Sequence, residues 1–210
     1  MLRLRHLNMD KAIARFVQNV EGLTRLPLVT DQDMFFIWGE EVIESLYQLS
    51  IFNQKENICG ACKMSCCPSV HCELYYPGFS ECPIFPLRPP ICRMHYCKRF
   101  AVNDISFVKE FGDIFLNSLL EAKIAGSKKA DLFDSPPLSR FAPQLVDASR
   151  PWLEAFREGQ IDEQSALKSI RQKAESFLTP PASPPGCLQK DIALERALED
   201  ARWYYKEHLI

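Results

Sequence analysis

The sequence predicts a mainly α-helical protein, in which a helical domain surrounds an irregular, cysteine-rich module. Three observations support this fold class. Apolar residues recur at helical spacing on both sides of the module, eight of the nine cysteines lie between Cys59 and Cys97, and proline is too frequent in that window for long helices. Outside the window the sequence has no convincing strand pattern.

The first helices are predicted from apolar spacing and end signals. One helix is expected over residues 9–21, ended by Gly22, and a long second helix is expected from Thr30 to about Ile51. Thr30 with Asp33 resembles a capping box, although Glu or Gln is the usual third residue. The apolar face of the first helix is formed by Ile13, Phe16, Val17 and Val20.

The second half of the chain has similar signals. Asp104 is the predicted cap of a helix that ends at Gly126, and an irregular connection follows. A short helix is then expected from near Pro151 to Gly159, and Asp162 is expected to cap the next one.

Composition excludes several classes of function. The chain has 210 residues and a net charge of −2, whereas a protein that neutralises nucleic-acid phosphates is usually basic. None of the eight glycines forms Gly-x-Gly, so a Rossmann turn and a P-loop are both absent. No run of about eighteen apolar residues occurs, so we expect no membrane span.

The cysteines are interpreted first as metal ligands. Charged residues interrupt the N-terminus from Arg3 onward, which is not the pattern of a secretory signal peptide, so we expect a cytoplasmic protein. Structural disulfides are rare in that reducing compartment, and an odd, unevenly spaced set of cysteines fits a disulfide framework poorly.

Eight cysteines form the predicted metal and cofactor site. Thiolates are soft ligands that favour zinc, copper(I) or iron–sulfur clusters. Eight is twice four, so the number suits two four-cysteine sites that hold either two zinc ions or two 4Fe-4S clusters. The predicted ligands are Cys59, Cys62, Cys66, Cys67, Cys72, Cys82, Cys92 and Cys97.

The spacing favours iron–sulfur clusters over zinc. Only Cys59 and Cys62 have the C-x-x-C spacing that a zinc ribbon uses twice. Adjacent Cys66 and Cys67 fit poorly on one tetrahedral ion, because consecutive side chains diverge in an extended chain, but they can serve two neighbouring centres. The spacing leaves the division of the eight ligands between two sites open, and a structural zinc scaffold without chemistry remains the alternative.

Other residues in the window are candidates for tuning such a site. Arg88 and Arg93 either donate hydrogen bonds to cluster sulfurs or a bound anion, or brace loops by pairing with Glu73, Glu81 or carbonyls. Cations exceed carboxylates by three between residues 59 and 99, counting Lys63, Arg88, Arg93, Lys98 and Arg99 against Glu73 and Glu81. The candidates for an apolar shell are Tyr75, Tyr76, Phe79, Phe85, Tyr96 and Phe100.

Three further residues have open roles. His71 and His95 are possible ligands, but with eight thiols available we expect them near the metal or in solvent rather than bonded to it. Cys187, which follows a proline-rich segment, is expected to be a lone thiol outside the ligand set.

These residues resemble the CxxCxxCC-type cysteine-cluster family, also called the YkgJ-like family, whose domain is described as zinc- or iron-chelating. Its signature is a C-x-x-C run that ends in paired cysteines, followed by C-x-I-Y-x-x-R-P-x-x-C-R and a final cysteine. Three residues rather than two precede the Cys66–Cys67 pair, and Phe85 replaces the tyrosine. The later matching positions are Cys82, Ile84, Phe85, Arg88, Pro89, Cys92, Arg93 and Cys97.

The resemblance covers about forty of the 210 residues and implies metal chelation rather than a particular activity. An iron–sulfur-containing flagellin lysine methylase is one related case. We therefore expect an iron–sulfur protein, with two 4Fe-4S clusters, that serves electron transfer or a redox or maturation system through a protein redox or client partner. The alternatives are a zinc-binding structural or interaction module without catalysis and an iron–sulfur-dependent methyltransferase-like enzyme. The sequence leaves open whether the protein is an enzyme.

The predicted organisation follows from these assignments. The chain is a mainly α protein in which a helical domain surrounds an irregular cysteine-rich metal-binding module. Its parts are N-terminal helices over 1–54, the cysteine-cluster metal-binding module over 55–100, a helical part packing on it over 101–178, a Pro-rich linker over 179–187 and a C-terminal helix over 188–210.

Overall fold

The computed structural model describes residues 6–23, 25–62, 66–100, 105–134 and 138–178. Within these ranges the chain forms ten α-helices and no strand, so the predicted mainly α class is confirmed. The helices are α1 (Met9–Asn19), α2 (Asp31–Trp38), α3 (Glu40–Glu56), α4 (Ile58–Ala61), α5 (Pro90–Met94), α6 (Ile105–Ile124), α7 (Ala130–Asp134), α8 (Leu138–Phe141), α9 (Pro143–Arg157) and α10 (Glu163–Ser176).

Several predictions fall on other parts of the chain. The predicted cap Asp104, the linker over 179–187, the C-terminal helix over 188–210 and the lone thiol Cys187 all lie outside the described residues. None of the helices in the described ranges has both the length and the apolar content that crossing a bilayer requires.

The N-terminal helices begin where the local signals place them. The Asn8 side chain accepts a hydrogen bond from the Lys11 amide at 3.0 Å and caps α1. At α2 the predicted capping box is present, because the Asp33 amide donates to Thr30 Oγ1 at 3.1 Å and the Thr30 amide donates to Asp33 Oδ2 at 2.8 Å.

The expected long helix from Thr30 to about Ile51 is wrong as one element, because it is broken between α2 and α3. Gly39 lies between them with a φ of 99°, a conformation that L side chains rarely adopt. A Cβ atom at this position would also lie 3.2 Å from Cδ of Arg15 in α1. Helix α3 continues to Glu56, beyond the expected end.

A first apolar core joins α1, α2, α3, α6 and α7. At its centre Phe16 stacks on Trp38 with ring centroids 5.0 Å apart and meets Phe133 edge-on at 5.4 Å. The Trp38 indole also donates a hydrogen bond of 2.9 Å to Ser118 Oγ, which satisfies the buried polar groups of both residues. Of the predicted apolar face of α1, Phe16 and Val20 are fully buried, whereas Ile13 and Val17 are partly exposed.

A second apolar core joins α8, α9 and α10 to the cysteine-rich segment. Phe79 from that segment stacks on Phe156 of α9, with ring centroids 4.9 Å apart and planes within 8° of parallel. The larger buried side chains of this core from the two regions include Leu74, Phe79, Ile84, Leu87, Leu138, Leu145, Leu167 and Ile170.

The predicted connection before Pro151 is wrong. Helix α9 begins at Pro143 and includes Pro151 in its interior, instead of beginning near Pro151. Proline removes one helical hydrogen bond to the carbonyl four residues earlier, that of Asp147. Both residues are exposed, so water can replace that bond and the helix continues to Arg157. The next expected cap is confirmed, because Asp162 accepts from the Ser165 amide at 2.7 Å.

Replacing Phe16 with alanine tests the first core. The side chain is completely buried and contacts two other aromatic rings, so Phe16→Ala is expected to lower the free energy of unfolding by about 3–5 kcal/mol. The measurement is denaturant unfolding followed by far-UV circular dichroism.

The control is Leu116→Ala in α6, where the residue is 63% exposed. Its effect is expected to stay within about 0.5 kcal/mol, because little apolar surface leaves water at that position. Equal losses of stability in the two variants would contradict the assignment of Phe16 to the centre of the core.

Candidate metal centre

The eight cysteines of the predicted ligand set line one cavity of about 390 Å³. None of them forms a disulfide, and each is partly buried. The cavity lies between the C-terminal half of α3, the short helices α4 and α5, and the loops that connect them. The structure therefore brings together thiols that are up to thirty-eight positions apart in the sequence.

The first cysteines are positioned by the end of α3. Asn57 has a left-handed conformation, with a φ of 48°, and this turns the chain into α4. The Asn53 side chain accepts a hydrogen bond of 2.9 Å from the Cys59 amide. A Cβ atom on Gly60 would lie too close to the side-chain oxygen of Asn57, so glycine lets the Asn57 side chain keep this position. Cys62 then ends α4.

The other cysteines lie on tight turns. Cys67 precedes a 3₁₀ turn over Pro68–Val70, and His71 follows with a φ of 51°. Helix α5 begins with Pro90 and contains Cys92. Proline suits a first helical position, because an amide hydrogen there would have no partner within the helix. The predicted effect of the prolines is confirmed for the described residues, since the elements between residues 57 and 100 are all of five residues or fewer.

One thiol is activated by hydrogen bonds. The Cys67 thiol and the His95 side chain both donate to the sulfur of Cys66, and together they lower the pKa of Cys66 to about 4. The pKa of Cys67 is raised, because its proton is held in the bond to Cys66 and because the thiol is buried. His95 gains stability as a cation from the same bond, so its pKa is raised.

Burial raises the pKa of four of the other thiols. It raises the pKa of Cys59 to about 11, of Cys72 to about 12 and of Cys92 to about 11, because an apolar environment disfavours the thiolate. It also raises the pKa of Cys82. At neutral pH these four groups are neutral thiols, so a metal that binds them as thiolates must displace protons.

The structure separates the two arginines whose roles the sequence left open. Arg88 lines the cavity, its guanidinium carbon lies 4.0 Å from the centroid of the Phe85 ring, and its Nε donates to the Phe85 carbonyl at 3.0 Å. Its positive charge lowers the pKa values of Cys59, Cys82 and Cys92, whereas burial raises them. Arg88 therefore contributes positive charge to this cavity.

Arg93 has a bracing role. Its side chain is only 8% exposed and pairs with Asp31 at the start of α2, which ties α5 to the first core. Glu73 and Glu81 are the possible partners that the sequence suggested, but Arg93 pairs with Asp31 instead. Glu73 accepts hydrogen bonds from the Leu138 and Ser139 amides at 3.0 Å, and Glu81 pairs with Arg171 at 3.1 Å.

The predicted apolar shell is present only in part. Phe85, Tyr96 and Phe100 line the cavity, whereas Phe79 lies in the second core. Sequence reasoning missed the contribution of α3, which supplies Leu49, Ser50, Asn53 and Gln54 to the wall. Of the two histidines, only His95 lines the cavity, and His71 is exposed.

The thiols surround a space and do not meet at one point. In the described part of the chain, no three side chains of His, Cys, Asp or Glu form a group that could hold one metal ion as they stand. A tetrahedral zinc at about 2.3 Å from each sulfur brings the four sulfurs within about 4 Å of one another. In an iron–sulfur cubane each thiolate binds a different iron atom, so the sulfurs lie around a larger centre.

Comparison with known proteins adds no relative. No family model matches the chain, and no curated protein or solved structure matches it. The resemblance of the cysteine window to the YkgJ-like family stays a prediction.

Replacing Arg93 with methionine tests its bracing role. The change leaves Asp31 without its buried partner, and because that carboxylate is half exposed we expect a loss of about 1–3 kcal/mol in the free energy of unfolding. Metal content per folded chain is expected to be unchanged. Both are measured on the same preparation, by denaturant unfolding and by elemental analysis.

The matched control is Arg150→Met in α9, where the arginine pairs with Asp147 and both side chains are largely exposed. Because an exposed ion pair contributes little, Arg150→Met is expected to lower the free energy of unfolding by less than about 1 kcal/mol. A loss of metal in Arg93→Met without a loss of stability would instead assign Arg93 to the metal site.

Proposed function

We propose that this protein binds two 4Fe-4S clusters through its eight clustered cysteines and serves one-electron transfer, or a supporting role in a redox or maturation system, in the cytoplasm. The observation that carries the proposal is the set of eight free thiols on the wall of one cavity. Two cubanes need eight thiolates, which is the number that the cavity offers.

The donor set fits iron–sulfur chemistry. Soft thiolate sulfur is the ligand that iron–sulfur clusters require, and no carboxylate of the described chain except Glu81 lines the cavity. The thiols enclose a space of about 390 Å³, which suits a multinuclear centre better than a single ion that draws its ligands to one point.

The surroundings favour a bound anionic cluster. A cysteine-ligated cluster carries negative charge, and the guanidinium of Arg88 in the cavity wall offsets it. The apolar side chains of Ile84, Phe85 and Phe100 limit access of water, which affects the reduction potential of such a centre. When bound, the clusters supply one-electron redox chemistry.

The location of the cavity supports exchange of electrons with a protein partner. Each of the eight cysteines is partly exposed, and His95 lies at an exposed part of the wall. The thiols are therefore close to the surface, where a redox partner can approach. The role of the chain's own residues is to hold the thiols, balance their charge through Arg88 and keep bulk water away.

Anaerobic purification from iron-supplied cells tests the proposal. We expect a brown protein with broad absorption near about 400 nm and about eight iron and eight sulfide ions per chain, because each cubane contains four of each. Chemical reduction is expected to produce an electron paramagnetic resonance signal. A colourless protein that contains about two zinc ions per chain would contradict the proposal and support the structural zinc module.

Matched cysteine variants locate the clusters. Cys82→Ser, in the cavity wall, is expected to lower the iron content, because it removes a thiolate ligand. Cys187→Ser, outside the predicted ligand set, is expected to keep the iron content of the unchanged protein. The same iron loss in both variants would show that the cavity is not the binding site.

A further inference from the structure

We propose that the outer face of α6 is the interface of an antiparallel homodimer, in which two copies of this chain pack their α6 helices against each other. The residues of this face that follow alternating steps of four and three form what we call the α6 seam: Lys109, Asp113, Leu116, Leu120 and Lys123. Ile124 lies beside it. None of these residues lines the cysteine cavity, so the proposal is independent of the proposed function.

The apolar residues of this face are exposed to solvent. Four large apolar side chains are exposed in the described part of the chain, and three of them lie on α6, where Leu116 is 63%, Leu120 55% and Ile124 72% exposed. On the opposite face of α6, Phe111 and Ile114 are fully buried in the first core. Single exposed leucines are ordinary, but three apolar neighbours at steps of four residues form a contiguous patch, which is typical of a contact surface.

The spacing of the seam suits another helix. Alternating steps of four and three residues place side chains on one stripe, which is how two helices meet in coiled-coil packing. Leu116 and Leu120 lie at the centre of this stripe, and charged residues lie at both of its ends. A second α6 has the same spacing, so its leucines can fit between those of the first helix.

The charges of the seam select the antiparallel orientation. Asp113 precedes Leu116 by three residues, and Lys123 follows Leu120 by three. In an antiparallel pair centred between the leucines, Leu116 therefore faces Leu120 of the second copy, and Asp113 faces Lys123 of the second copy. In a parallel pair each residue would face its own equivalent, which places like charges together at both ends.

Ion pairs within one chain leave these charges available. Asp113 pairs with Lys109 of the same helix, and Lys123 pairs with Asp131 at 3.5 Å and with Asp134. All five side chains are at least one-third exposed. Contact between two copies brings the two sets of charges together at each end of the apolar stripe, where two cations meet three carboxylates.

An anionic lipid surface fits this face less well than a second copy does. Helices that lie on such surfaces are rich in Lys and Arg on their polar face. On α6 the carboxylates of Asp113 and Glu121 lie among the exposed residues, and lipid phosphates would repel them. A twofold contact instead supplies a cation opposite Asp113 by symmetry.

The size of the interface predicts a weak dimer. Stable interfaces bury about 1,200–2,000 Å² in total, and one helix about 30 Å long with three large apolar side chains per copy offers less. Contacts of this size are typical of transient association, so we expect a dissociation constant above about 1 µM. Unfolding of Leu116→Ala at lower protein concentration therefore measures the single chain.

Sedimentation equilibrium of the full chain tests the proposal. The protein is kept anaerobic and reduced, so that no disulfide links two copies, and it is measured with and without bound iron. As the concentration rises from about 1 µM to about 500 µM, the average mass is expected to rise from that of one chain toward that of two. A constant single-chain mass would overturn the proposal, whether the face stays exposed or is covered by residues 179–210 of the same chain.

A charge at the centre of the seam tests its location. Leu120→Glu is expected to raise the dissociation constant at least about tenfold, because the dimer would then bury two carboxylates among apolar side chains. The matched control is Phe177→Glu, where an exposed apolar residue outside α6 is replaced and the dissociation constant is expected to stay the same. Far-UV circular dichroism checks that both variants fold. Equal weakening by both changes, or by neither, would contradict the assignment of the α6 seam.

Two charge variants test the orientation and do not alter the leucines. Asp113→Lys and Lys123→Glu each place like charges together at both ends of the antiparallel pair, so each alone is expected to raise the dissociation constant at least about threefold. An equal mixture of the two variants is expected to associate as the unchanged protein does, because the altered residues then face each other with opposite charge. If each variant alone associates normally and the mixture associates more tightly, the pair is parallel and the antiparallel interface is wrong.

Discussion

The cysteine-rich segment has too little regular structure to hold its own shape, so the two apolar cores on either side of it must do so. Between residues 57 and 100 its described helices contain four and five residues, well below the length at which an isolated helix is stable in water. The segment is instead attached by apolar anchors. Met94 and Ile91 pack into the first core, and Leu74, Phe79 and Ile84 pack into the second.

This double attachment explains why the thiols face one cavity. Arg93 connects α5 to α2, and Glu73 connects the loop after Cys72 to α8 through the Leu138 and Ser139 amides. Each connection fixes one part of the segment relative to a core, and the cavity lies between the parts. The cost is that several thiols are buried in an apolar environment, which raises their pKa values. The proposed metal centre would link the stability of this region to metal content, because thiolate ligation would release those protons.

Local signals predicted much of the helical architecture. Thr30 with Asp33 and Asp162 each begin a helix through a hydrogen bond to an amide three residues away, so a short stretch of sequence contains all the necessary information. The predicted helix bounds were wrong where they depend on tertiary contacts or on exposure to solvent. Gly39 breaks a segment whose apolar spacing continues through it, and both its φ of 99° and the close approach of Arg15 from α1 favour glycine at the break. Pro151 lies inside α9 because its exposed position lets water replace the lost hydrogen bond.

The sequence by itself determined the helical class and the thiol chemistry of the cysteine-rich segment, since apolar periodicity and the eight clustered cysteines can be read along the chain. Tertiary structure alone placed the eight thiols on one cavity and α3 in its wall, and it separated Arg88, which lines the cavity, from Arg93, which pairs with Asp31. These outcomes depend on distances between residues far apart in the sequence, and such distances are set by the way the two cores pack around the cysteine segment.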